Sequence, residues 1–124
     1  MTSKILVVDD EEDILELVRI ILESEGYTVV TATSGEEALR LVESWKPSLV
    51  ILDVVLPGVS GLDVCRQLRR NPRTHSVKVA LFTALGTEVD MRLGAGDKAD
   101  AYVRKPFREA DLLRVVNDLL HGAA

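Results

Sequence analysis

The stretch that decides the fold is Leu49-Val50-Ile51-Leu52-Asp53, in which four aliphatic residues are followed directly by an aspartate. An unbroken apolar run of this length is typical of a strand that is buried on both faces of a parallel sheet. It is the most apolar run in the chain, so we expect it to lie near the centre of the sheet. Asp53 then stands at the carboxyl end of that central strand.

Short strands and longer helices alternate strictly on both sides of this run. Four further strands are predicted over Ile5–Val8, Tyr27–Ala32, Val79–Phe82 and Ala101–Arg104. Five helices are predicted: Asp9–Ser24; one capped by Ser34 with Glu37 three residues on; one carrying Leu62, Cys65 and Leu68; a short, loosely held one over residues 86–96; and Glu109–Leu120. Such alternation requires right-handed crossovers and a parallel sheet covered on both faces. The prediction is one doubly wound α/β domain spanning residues 1–124, with a core from about residue 4 to about residue 120.

Composition excludes several classes of protein. The 124 residues suit one domain, 47% of them are hydrophobic, and the net charge of -5 argues against a direct nucleic-acid binder. A single cysteine, Cys65, excludes an internal disulfide, and with two histidines there are too few ligands for a soft-metal cage. No run approaches the roughly 20 apolar residues that span a bilayer, and the N-terminus does not resemble a secretory signal. We therefore expect a cytoplasmic protein without a membrane partner.

Polar side chains follow four of the five predicted strands. Asp9 and Asp10 follow the first, Asp53 the third, Thr83 the fourth and Lys105 the fifth. In an open parallel sheet, ligands bind beyond the carboxyl ends of the strands. The sequence therefore predicts that three carboxylates, one hydroxyl and one ammonium converge at a single edge.

Each of these residues also has a purely structural interpretation. The acids at positions 9–13 could complement a helix dipole, Asp53 could belong to a turn, Thr83 could cap a helix, and Lys105 could be a solvated loop residue. Because all of these residues are expected at one edge of the sheet, a functional site is favoured over four separate structural roles.

The predicted cluster suits phosphoryl transfer. Carboxylate oxygens are the ligands that Mg²⁺ prefers, and an ionised aspartate beside that metal can act as a nucleophile on phosphorus. Lys105 and Thr83 would supply positive charge and a donor for the transferring group. An FMN- or ATP-binding domain is the weaker interpretation, because no glycine-rich loop follows the first strand and the acids there would repel a nucleotide phosphate.

With these residues in place, the chain resembles a response-regulator receiver domain of two-component signalling, similar to the stand-alone chemotaxis type. The resemblance runs from Lys4 to about Leu120 and rests on Asp9-Asp10, the turn from Asp53 to Pro57, Thr83-Ala84, and Tyr102 three residues before Lys105-Pro106-Phe107. It implies a flavodoxin-like (βα)5 fold whose five parallel strands have the order 2-1-3-4-5.

The resemblance also implies a role for each site residue. Asp53 would accept the phosphoryl group. It would also hold Mg²⁺, together with Asp10, which would bind the ion directly, and the backbone carbonyl of Val55. Asp9 would bind the ion mainly through water. Lys105 would pair with Asp53 and then with the phosphoryl oxygens. The remaining expected site residues are Thr83 and Ala84 at the phosphoryl group, Tyr102 as the residue that turns inward, and a cis peptide bond at Pro106.

The implied partners are a histidine kinase or histidine phosphotransfer protein as donor, and a downstream effector or an output domain as receiver of the signal. The signal would reach them through the surface of the fourth helix, fifth strand and fifth helix, from a monomer or a phosphorylation-promoted dimer. Such a switch catalyses its own phosphorylation and dephosphorylation without being a metabolic enzyme. Two alternatives stay open: an interaction module of the same fold that does not use phosphorylation, and a phosphatase or phosphotransferase with an aspartate nucleophile. The second alternative lacks its usual second aspartate, because Val55 occupies that position.

Overall fold

The protein is described by a computed structural model that covers residues 3–84 and 99–122. Its strands are β1 (Lys4–Val8), β2 (Thr28–Ala32), β3 (Leu49–Asp53), β4 (Lys78–Thr83) and β5 (Ala101–Arg104). Its helices are α1 (Glu12–Ser24), α2 (Gly35–Trp45), α3 (Gly61–Arg70) and α4 (Glu109–His121). The fourth predicted helix, over residues 86–96, lies outside the described residues, so the label α4 stands for the fifth predicted helix.

All five strands are parallel and form one sheet in the order β2-β1-β3-β4-β5, which confirms the predicted topology. β3 lies in the middle and every one of its residues is buried, as its continuous aliphatic run predicted. Because the strands are parallel, their carboxyl ends meet at one edge. We call it the carboxyl edge and call the opposite one the amino edge.

Alternate residues of each strand face opposite sides of the sheet, so the domain has two apolar clusters. On one face, Leu6, Val50 and Leu81 pack against α2 and α3 residues such as Val64 and Leu68. On the other face, strand residues that include Ile51 and Phe82 pack against α1 and α4. The two clusters fix the sheet between layers of helices and leave its carboxyl edge to the polar residues.

Of two predicted helix starts, that of α2 is confirmed and that of α1 is not. Ser34 caps α2 as expected, since its Oγ accepts a hydrogen bond from the Glu37 amide at 3.2 Å, and Glu37 in turn accepts from the Thr33 amide at 3.0 Å. The predicted start of α1 at Asp9 is wrong, because α1 begins at Glu12. The Asp9 carboxylate accepts a hydrogen bond from the Glu11 amide, and this local bond turns the chain before the helix begins.

At the amino edge, Trp45 ends α2 and is half-buried. The Lys4 ammonium lies 5.3 Å from the centre of its ring. None of the helices in the described parts of the chain is long and apolar enough to cross a membrane.

Candidate functional site

The carboxyl edge brings together the side chains that the sequence predicted there. Asp9 directly follows β1, Asp53 and Thr83 are the last residues of β3 and β4, and Lys105 directly follows β5. Asp9, Asp53 and Thr83 are 0%, 7% and 1% exposed, respectively. Burial of charged groups at this level requires partners, because an unpaired buried charge is costly.

Lys105 is the partner that two of these acids share. Its Nζ donates hydrogen bonds to Asp9 Oδ2 at 2.6 Å and to Asp53 Oδ2 at 2.9 Å. The bond to Asp9 spans 96 positions of the sequence and was not anticipated; the prediction gave Lys105 only Asp53. The ammonium therefore ties the ends of β1 and β3 to the loop after β5.

The surroundings of Lys105 act on its pKa in opposite directions. Burial disfavours the ammonium and would lower the pKa, but the hydrogen bonds and negative charges of Asp9 and Asp53 raise it, and the net result is a pKa above the ordinary 10.5. Lys105 is consequently charged at neutral pH and offsets one of the negative charges at this edge.

The other oxygens of the two acids are bound by the backbone. Asp9 Oδ1 accepts from the Glu11 amide at 2.9 Å, and Asp53 Oδ1 accepts from the Val55 amide at 3.0 Å. Asp10, in contrast, is exposed at the rim. Both buried carboxylates are thus held in fixed orientations, while the third faces solvent.

A carboxylate oxygen from each of Asp9, Asp10 and Asp53 lies within 4.8 Å of the others. Three such oxygens fit a hard divalent cation, because Mg²⁺ is held in proteins by one or two carboxylates together with waters and phosphate oxygens. In the part of the chain that the structure describes, the one lysine bonded to these acids does not balance their three negative charges, and a cation would reduce the remaining repulsion. The residues present therefore fit the predicted Mg²⁺.

The β3–α3 loop is held close to the acceptor strand. The Gly61 amide donates to the Val54 carbonyl at 2.9 Å, and a Cβ built on Gly61 would lie 2.0 Å from the Asp53 carbonyl oxygen. The first residue of α3 therefore has to be glycine for the helix to begin this near Asp53. The side chain of Val55, in the same loop, is 67% exposed above the site.

The remaining predicted residues lie on β4 and β5 or directly after them. Ala84 is exposed on the rim next to Lys105 and Pro106, and the peptide bond between Lys105 and Pro106 is cis. Tyr102 is half-buried on β5 opposite Leu81 and packs against the apolar cluster on the α2–α3 face. The Lys105 amide donates to the Thr83 carbonyl at 2.7 Å, which joins the ends of β4 and β5.

A pair of stacked aromatic rings next to the lysine was not predicted from the sequence. The rings of Phe82 and Phe107 stack with centroids 5.3 Å apart, and Lys105 Nζ lies 5.7 Å from the Phe82 centroid. The signal was present, since Phe82 precedes Thr83 and Phe107 follows Pro106 at the same edge. The two rings restrict where the lysine side chain can lie and shield one side of it from water.

Comparison with known proteins places this chain in a family. The family model described as the response regulator receiver domain matches residues 5–117. The alkaline phosphatase synthesis transcriptional regulatory protein PhoP of Bacillus subtilis is 44% identical over 120 residues, which are 97% of this chain and 49% of that protein. The chain spans about half the length of the curated relatives it matches, as the shares of 49%, 54% and 48% for three of them show.

Solved structures agree with the sequence match. A putative response regulator from Chloroflexus aurantiacus superposes with a TM-score of 0.93 at 33% identity, covering 98% of this chain and 99% of that one. The receiver domain of a sensor histidine kinase from Pseudomonas aeruginosa, with a magnesium ion coordinated in its active-site cleft, has a TM-score of 0.89 at 25% identity, covering 98% and 99%.

Proposed function

The chain belongs to the response regulator receiver domain family, and from that membership we propose that it is a phosphorylation switch in which Asp53 accepts the phosphoryl group. The observation that carries the proposal is the pairing of Lys105 Nζ with Asp53 Oδ2 at 2.9 Å and with Asp9 Oδ2 at 2.6 Å. This arrangement presents a carboxylate at the end of the central strand beside a cation that can follow the charge of an incoming phosphoryl group.

The donor would be a phosphohistidine on a histidine kinase or a histidine phosphotransfer protein. An Asp53 carboxylate oxygen attacks phosphorus, the new O–P bond forms as the P–N bond breaks, and the electron pair leaves with the imidazole nitrogen. The Val55 amide, which already donates to Asp53 Oδ1, orients the carboxylate for this attack. Lys105 then pairs with the phosphoryl oxygens, because they carry the negative charge after the transfer.

Asp9, Asp10, Asp53 and the Val55 carbonyl are the groups that would hold Mg²⁺. When bound, the ion would neutralise the repulsion between the acidic cluster and the oxygens of the phosphoryl group. The related Pseudomonas aeruginosa receiver, with magnesium in its active-site cleft, supports this assignment. Because Asp9 is fully buried and already bonded through both oxygens, we assign it the indirect, water-mediated place and assign exposed Asp10 the direct one.

The signal would leave the site through the ends of β4 and β5. Thr83 moves toward the phosphoryl oxygens and Ala84 follows it, and Tyr102 turns inward behind them. These residues adjoin β5 and α4, whose outer surface bears the charged residues Asp111 and Arg114. This surface, with the preceding segment outside the described residues, is the proposed contact for a downstream effector or output domain, in the cytoplasm where the kinase's catalytic part would act.

Intact mass spectrometry after incubation with acetyl phosphate tests the acceptor and the metal together. The parent protein should gain one phosphoryl group with Mg²⁺ present, and that gain should be lost without Mg²⁺ and in Asp53→Asn.

Asp63→Asn is the matched control. Asp63 lies in the next helix, pairs with Arg66 at 2.9 Å on the surface, and should be phosphorylated like the parent. A folded parent that gains no mass with Mg²⁺, or a gain that persists in Asp53→Asn, would overturn the proposal. The first result would favour an interaction module that does not use phosphorylation.

A further inference from the structure

β2 is an outermost strand of the sheet, and the phosphorylation switch does not use the backbone groups along its free side. β2 is the last strand on its side of the sheet and pairs with β1 in the described structure. An outer strand presents backbone N–H and C=O groups that can pair with another chain, and proteins usually protect such edges with charged residues, proline or bulges. β2 reads Thr-Val-Val-Thr-Ala and carries none of the charged or proline residues.

The hydrogen bonds to β1 define which backbone groups face outward. The Thr28 amide donates to the Ser3 carbonyl at 3.0 Å, and the Ala32 carbonyl accepts from the Asp9 amide at 3.1 Å. In a parallel pair, alternate residues of a strand point both backbone groups to the same side. Thr28 and Ala32 face β1, so the N–H and C=O groups of Val29 and Thr31 point away from the sheet.

The two ends of this edge are closed by the protein itself. The Tyr27 amide donates to the Leu22 carbonyl at 3.2 Å, and the Thr33 amide donates to Glu37 Oε1 at 3.0 Å. For Val29 and Thr31, no partner outside the sheet is found in residues 3–84 and 99–122. Within β2 itself, the open groups are therefore the N–H and C=O of Val29 and Thr31, and the bonded amides of Tyr27 and Thr33 flank them on either side.

We infer that this edge pairs with the same edge of a second copy of the chain, antiparallel and across a two-fold axis through Val30. In that register Val29 of each copy lies opposite Thr31 of the other, and each such pair exchanges two hydrogen bonds. All four open groups are then satisfied, and the capped groups of Tyr27 and Thr33 stop the ladder from extending. No other antiparallel register pairs both outward residues.

The side chains of β2 suit this pairing. Val30 meets Val30 on the α2 face, and Val29 meets Thr31 on the α1 face, so every central contact joins β-branched residues. Val29 and Val30 are only half-buried, whereas Ile5 to Val8 of the neighbouring strand are completely buried. An added strand would cover the apolar surface that α1 and α2 leave open.

The two-fold axis is perpendicular to the sheet and sets the two α1 helices antiparallel. Glu12, Glu16 and Arg19 line the groove between α1 and β2. Arg19 already pairs with Glu16 of its own helix, so the side chains of α1 add no attraction between the copies and the backbone ladder has to hold the dimer. The contact is isologous, because both copies use the same strand. No free β2 strand is left in the dimer, so a third copy cannot add by this contact and no fibre forms.

Sedimentation velocity without phosphoryl donor tests the dimer, which should be weak because its four hydrogen bonds and small apolar area lie below a standard interface. Between about 20 µM and about 1 mM, the range in which such contacts form, the weight-average mass should rise toward twofold. Thr31→Pro removes an outward N–H that β1 does not use and should abolish the rise. Thr31→Val keeps that N–H and the side-chain shape, and should behave as the parent.

Amide resonances of the parent protein give a second readout that needs no variant. The Val29 and Thr31 amides should shift and exchange more slowly as concentration rises, while those on β5 and α4 do not. A parent that stays monomeric at the highest concentration, or one whose dimer shifts the β5 and α4 amides in place of these two, would overturn the inference. Dimerisation of folded Thr31→Pro to the same extent as the parent would do so as well.

Discussion

The two edges of the sheet both hold ion pairs, but they balance charge differently. At the carboxyl edge, the carboxylates of Asp9, Asp10 and Asp53 lie together, and in the described residues one ammonium, that of Lys105, pairs with Asp9 and Asp53. At the amino edge, Arg69 pairs with Asp100 at 2.7 Å, one charge to one charge. The first arrangement has three acids to one bonded cation, and the second has one acid to one cation.

The amino-edge pair is also integrated into the backbone. Asp100 Oδ2 accepts from the buried Val79 amide at 2.8 Å, and Arg69 donates to the Val77 carbonyl. Both charges of this pair therefore have partners within the fold, and we interpret the pair as one that stabilises the fold. Within residues 3–84 and 99–122, the three acids of the carboxyl edge outnumber the one lysine bonded to them, an imbalance that favours a positively charged ligand.

The largest difference between the edges is expected from the same substitution made at two glycines. Gly61→Ala should lower the free energy of unfolding by about 3 kcal/mol or more, because its Cβ would lie 2.0 Å from the Asp53 carbonyl oxygen. Gly26→Ala, between α1 and β2, meets no atom within 4 Å but has a φ of +94°, and should cost about 1 kcal/mol. Urea unfolding of both variants measures the contrast, and equal losses would refute it.

Breaking the balanced pair should come next in size. Asp100→Ala leaves the buried Val79 amide and Arg69 without this acceptor, and should destabilise the fold by about 2 kcal/mol. Phosphoryl uptake should not change. Asp111→Ala, which breaks an exposed pair with Arg114, should cost less than about 0.5 kcal/mol in the same unfolding experiment. Comparable losses in the two variants would show that the amino-edge network is not a stabilising one.

Removing an acid at the carboxyl edge should raise the stability of the fold, whereas removing Asp100 at the amino edge should lower it. Asp53→Asn relieves part of the excess negative charge while Lys105 keeps Asp9, so stability without metal should rise by about 1 kcal/mol. Thermal unfolding in the presence of a chelator checks this. Addition of Mg²⁺ should reduce the difference in stability between the two proteins, because the ion should stabilise the parent more than Asp53→Asn. If Asp53→Asn were less stable than the parent, the acids at both edges would stabilise the folded state, and the contrast between the edges would be wrong.

The smallest effect is expected from alkaline pH. Folding raises the pKa of Lys105 above 10.5, so its pairing contributes in full below that pH and is lost as pH rises through the higher, folded value. The stability difference between the parent and Lys105→Met should be constant from neutral pH to about pH 10 and shrink above it. A difference that already falls between pH 7 and pH 9 would contradict the raised pKa.

Much of the fold was predictable because hydrophobic periodicity reports local structure directly. The aliphatic run at residues 49–52 predicted a central buried strand, and the parallel rule then gathered Asp9, Asp53, Thr83 and Lys105 at one edge. Boundaries were less accurate: β4 extends one residue further at each end than predicted, and α1 starts three residues later. These ends depend on single hydrogen bonds, such as that of Asp9 with the Glu11 amide, which periodicity does not encode.

The sequence by itself therefore determined the class of fold and which residues share an edge, since both follow from the alternation of strands and helices along the chain. The tertiary structure alone decided that Asp9 is buried while Asp10 is exposed, and that Lys105 bridges two acids above a pair of stacked rings. It also decided that the backbone groups of Val29 and Thr31 face outward. The physical reason is that burial and hydrogen-bond partners depend on groups distant in sequence, whose separation in space exists only once the strands have paired.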